Sequence, residues 1–116
     1  MNIEEKEHLA LTGDMSQKAS AIRLRAARYV AMPDAQGKDF AEAVGISKSS
    51  LTTMEKGQQF PNREVMKYLD RGHRIDFNFM MNGYFAQLPH DVQTALFDQL
   101  GRAHEECGQD MRSNRD

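Results

Sequence analysis

A small all-helical domain is what this chain predicts, and three observations predict it. Apolar residues recur at intervals of three and four through most of its length. No run of β-branched and aromatic residues alternates over several positions, so strands are not expected. Proline, glycine and small capping residues divide the chain at intervals that suit short helices. With 116 residues there is room for one such domain and tails.

Taken in order, residues 1–18 are polar and charged, include Gly13, and are expected to form a flexible arm or a short marginal helix. The first firm helix is expected over residues 20–32, with Leu24, Ala27 and Ala31 on one face and Pro33 ending it. Residues 38–44 form the next. Phe40, Ala41 and Val44 share one face of it, and Gly45 is free to take positive φ at its end. Ser47 can cap a third helix over 48–56, where Leu51 and Met54 point inward and Gly57 stops the run. Asn62 caps a fourth over 63–71, with Val65, Met66 and Leu69 buried and Gly72 closing it. A short fifth begins at Ile75-Asp76, with Asp76 as cap, Phe77, Met80 and Met81 as packing, and Gly83 as stop. Pro89 opens a sixth over 89–106. Residues 107–116 are expected to be disordered. The organisation is therefore an arm (1–18), a domain (19–83), an amphipathic helix (84–106) and a tail.

The second and third helices carry the functional signal. Small Ala41 lets them approach closely, while Ser49, Ser50, Thr52 and Thr53 stay on outer faces. This is how a helix-turn-helix presents a polar helix to a DNA groove. The net charge of −2 argues at first against a nucleic-acid partner, but its distribution reverses that. Residues 19–83 hold ten Lys/Arg against seven Asp/Glu, between acidic ends.

Other classes find little support. No apolar run approaches the roughly 18 residues of a membrane span, and the acidic start does not look like a secretory signal. The single cysteine, Cys107, fits a reducing cytoplasm. His8, His73, His90 and His104 are scattered, so no metal site or cofactor is expected. No Gly-rich phosphate loop, nucleophile elbow or Cys-His arrangement suggests an enzyme.

From about Ile22 to Gly83 the chain resembles the lambda-repressor-like, Cro/C1-type (xenobiotic-response-element) helix-turn-helix regulators. Arg23-Leu24-Arg25-Ala26-Ala27-Arg28 looks like that family's first helix. Phe40-Ala41, Gly45-Ile46-Ser47 and Met54-Glu55-Lys56-Gly57, then Pro61, are similar to its helix-turn-helix core. Residues 75–83 resemble its closing fifth helix. One departure is that Gly37 stands where the family often has a phosphate-gripping glutamine, with Gln36 one residue earlier.

The resemblance implies a five-helix DNA-binding domain with an additional C-terminal helix, acting on double-stranded DNA in transcription regulation. It places Lys48, Ser49 and Thr53 where side chains reach base edges, chemistry that lysine and hydroxyl groups can supply. Ser50 and Thr52 suit phosphate or rim contacts, and Lys38, Lys56, Arg63 and Lys67 offer phosphate contacts that position without specifying. It also implies an ion pair between Arg28 and Glu55 that ties the reading helix to the core. An antitoxin-like or adaptor module on the same fold is the alternative.

Assembly is the last expectation. In the sixth helix Val92, Leu96 and Leu100 are spaced by four, with Phe97 widening the apolar face. That face either completes the monomer's core or pairs two copies. A homodimer on a near-palindromic operator is favoured, because one reading helix spans few base pairs.

Overall fold

The computed structural model describes residues 1–113, with side chains described through residue 109. All regular structure among the described residues is helical: α1 Ile3–Ala10, α2 Gln17–Ala31, α3 Gly37–Val44, α4 Lys48–Glu55, α5 Arg63–His73, α6 Phe77–Asn82 and α7 His90–Ser113. None of these helices is long and apolar enough to cross a membrane.

Side-chain caps start most of them. Asn2, Ser16, Ser47, Asn62 and Asp76 each accept a hydrogen bond from a backbone N–H in the first turn of α1, α2, α4, α5 and α6. Such caps satisfy donors that a helix start otherwise leaves without partners. At α3 the bond runs the other way, from the Gln36 N–H to Asp39 Oδ2. Gly45 and Gly83 end α3 and α6 with φ of 93° and 72°. At Gly83 even a methyl group is impossible, since it would lie 2.5 Å from the Ala10 carbonyl oxygen. Gly72 does not close α5 as expected. The helix continues to His73, and Arg74 makes the left-handed turn at φ 58°.

α2 is the axis of the molecule. It packs against α4, α5, α6 and α7, and nearly every residue from Ala19 to Ala27 is buried. Its alanines allow that crowding, because they cost no side-chain entropy and hold neighbours at a short distance.

Three expectations are corrected. The arm is ordered: residues 3–10 form α1, whose Ala10 is fully buried. His104 meets the Leu9 carbonyl at 2.7 Å, and the Lys6 ammonium lies over the Phe97 ring. So short a helix is marginal alone, and its docking on α7 is what a local reading of residues 1–18 misses. The tail is also shorter than expected. α7 continues to Ser113 with Cys107 buried, and only residues 114–116 of that expectation lie outside the described residues. Finally, Val92, Leu96, Phe97 and Leu100 do not form an external seam. All four are buried within the single chain, where α7 packs on α2 and α1. The amphipathic face completes the monomer's core, so a dimer through these residues is ruled out by packing.

Candidate nucleic-acid interface

α3 and α4 are joined by Gly45-Ile46-Ser47, and Phe40, Ala41, Leu51 and Met54 lock their inner faces into the core. What remains outside on α4 is a row of small hydroxyls. Ser49 is exposed; Ser50, Thr52 and Thr53 are half-buried. Thr53 Oγ1 donates to the Ser49 carbonyl at 3.0 Å, and Thr52 Oγ1 donates to the Lys48 carbonyl at 2.9 Å. With the hydroxyl hydrogens committed to the helix backbone, both threonines turn a methyl group and oxygen lone pairs outward. Thr53 in this state suits the amino group of adenine or cytosine, or the methyl group of thymine.

Lys48 behaves differently from its neighbours. Its ammonium donates to Thr52 Oγ1 at 3.0 Å, and its Cε crosses the start of α3, 3.1 Å from where a Cβ on Gly37 would lie. Gly37 is what leaves room for it. Lys48 and the nearby exposed Lys38 thus stand at the first turn of α3, whose free N–H groups add positive potential. Lys56 is exposed at the end of α4. Arg63 and Lys67 are set apart from this group on α5, where they line an open cavity with Phe77.

The far end of α4 is held from beneath. Arg28 Nε meets Glu55 Oε2 at 2.6 Å and Nη2 meets Oε1 at 3.1 Å, with both side chains about nine-tenths buried. Burial alone would lower the Arg28 pKa, but the Glu55 carboxylate more than offsets it and raises the value. Arg25, one turn earlier on α2, donates through Nε and Nη2 to the Glu55 carbonyl oxygen at 3.0 and 2.8 Å. The last residue of α4 is gripped by side chain and backbone together.

That grip extends into α7. The Tyr29 ring lies between two guanidiniums, with Arg102 at 3.7 Å and Arg28 at 4.8 Å from its centroid. Its hydroxyl bonds to Glu106. Burial and that carboxylate raise the tyrosine pKa. Sequence reasoning missed Arg25, Tyr29, Arg102 and Glu106. Only Arg25 left a local signal, its i, i+3 spacing from Arg28 on one face of α2.

Among the described residues no three His, Cys, Asp or Glu side chains converge where they could hold a metal ion. Comparison with family models, with curated proteins and with solved structures returned no match.

Proposed function

We propose that this chain is a sequence-specific, double-stranded-DNA-binding transcriptional regulator with a lambda-repressor-like core, which inserts α4 into the major groove. The observation that carries this reading is the construction of α4. Its outer face offers small hydroxyls and methyl groups to a ligand, while its last residue is fixed by two arginines and its inner face by Leu51 and Met54. A helix held this firmly can discriminate by fit, because little ordering remains to be done on binding.

The side chains divide by role. Ser49 and Thr53 face base edges. Lys38 and Lys48, at the start of α3, suit a phosphate, as do Lys56, Arg63 and Lys67 at the margins, with Ser50 and Thr52 on the rim. Lys48 in this placement takes up the position left by the glutamine that Gly37 replaces.

Duplex binding at rising salt tests the reading. Affinity should fall linearly on logarithmic axes, and the slope should flatten by about one for each phosphate-contacting lysine removed. Binding to duplex that is insensitive to salt, or absent, would reject it.

A further inference from the structure

Two open cavities meet at the first turn of α6. One, between α5 and α6, is lined by Arg63, Lys67, Arg71 and Phe77. The other is lined by Ile3 and Glu7 of α1, by Asn78, and by Tyr84 and its neighbours. Asn78 lines both, so they form one continuous strip. Three large apolar side chains stand in solvent along it: Phe77 at 61%, Ile3 at 60% and Tyr84 at 49% exposure. This is the largest grouping of exposed apolar residues on the described surface, and such patches mark contact sites.

The flanks of the strip differ in charge. On the α5 side Arg63, Lys67 and Arg71 are spaced by four along one helix face. Asp70 and Asp76 also line that cavity, but Asp76 is engaged as the α6 cap and with Gln87. On the α1 side Glu4 and Glu7 are exposed, three apart and flanking Ile3. A surface with a cationic edge, an apolar centre and an acidic edge is complementary to itself. A two-fold axis lying in the contact plane, across the charge gradient, sets each copy's acidic edge on the other's cationic edge.

We propose that this strip pairs two copies of the chain, with Glu4 and Glu7 of each copy facing Lys67 and Arg71 of the other around Phe77, Ile3 and Tyr84. The apolar centre supplies the association energy and the charged edges fix the orientation. The pairing goes beyond duplex binding and is tested without DNA, so the two proposals fail separately.

Sedimentation equilibrium on the full chain is the test. The wild type should be a dimer with a micromolar dissociation constant, and Phe77→Ser should be a monomer. The variant Lys67→Glu/Arg71→Glu sets acid against acid, and Glu4→Lys/Glu7→Lys sets base against base. Each alone should associate at least about tenfold more weakly. Mixed in equal amounts they should form a heterodimer, because both contacts again join opposite charges; that recovery also shows both variants to be folded. A monomeric wild type, a dimer that survives either reversal, or a mixture that stays monomeric overturns the proposal.

Discussion

Arg23 and Arg28 lie on the same helix, five residues apart, and both guanidiniums are taken out of water, but the two ends of the molecule hold them by different chemistry. Arg28 answers a carboxylate, Glu55. Arg23 is fully buried and makes no salt bridge to a carboxylate. It donates to the carbonyl oxygens of Ala10, Leu11, Asp14 and, at 3.4 Å, Met80. The Ala10 and Leu11 carbonyls close α1, and that of Met80 lies in the last turn of α6. These are acceptors that helix ends leave free, at the negative end of each helix dipole. Burial lowers the Arg23 pKa to about 10, with Asp14 opposing the shift, so the side chain remains a cation at neutral pH. One arginine thus fastens α4, and the other fastens the N-terminal helix and α6. The comparison teaches that a buried cation need not have an acidic partner when helix termini converge on it.

Substitutions can break this comparison, and the largest effect belongs at Arg23. Arg23→Met removes a donor set that no neighbour can replace and leaves several buried carbonyls without partners. A loss of about 3–5 kcal/mol in denaturant unfolding is expected, with hydrogen exchange rising first in α1. An unfolding midpoint close to the wild type would show that the carbonyls are satisfied some other way.

Glu55→Ala should cost less, about 2–3 kcal/mol, because Arg28 loses its counter-charge while Arg25 keeps its bonds to the backbone carbonyl. The exchange of α4 amides should rise more than that of α5. If all helices loosen equally, the grip on α4 is only general stability.

The smallest effect belongs to Arg74 and Asp91, a 2.6 Å pair with both side chains largely in solvent. The arginine's hydrogen bond and charge lower the Asp91 pKa, yet an exposed pair of this kind contributes little. Asp91→Asn should leave the thermal melt unchanged, and a measurable drop would show that short distance outweighs exposure.

Much of α2 to α6 was legible in the sequence, because caps, glycines and apolar spacing are local signals. Ser47, Asn62 and Asp76 begin the helices that their side chains were expected to cap. What stayed hidden depends on distant partners. α1 has few apolar residues and gains its order from α7 and Arg23, contacts dozens of residues away or unmarked by any pattern. The face of α7 was visible as amphipathic, but periodicity cannot say whether such a stripe meets its own chain or another. At the candidate site the hydroxyl row was legible. The turn of Lys48 toward Gly37 was not, since it depends on a missing side chain on the opposite helix.

The central claim is that α4 discriminates among duplex sequences through Ser49 and Thr53, and selection of bound duplexes from a random pool tests it most directly. The wild type should enrich one motif. Thr53→Ala and Ser49→Ala should each bind that motif more weakly, by about 1–3 kcal/mol, and relax preference at a single base pair. Variants that remain folded and still enrich the same motif with undiminished preference at every position would contradict the account.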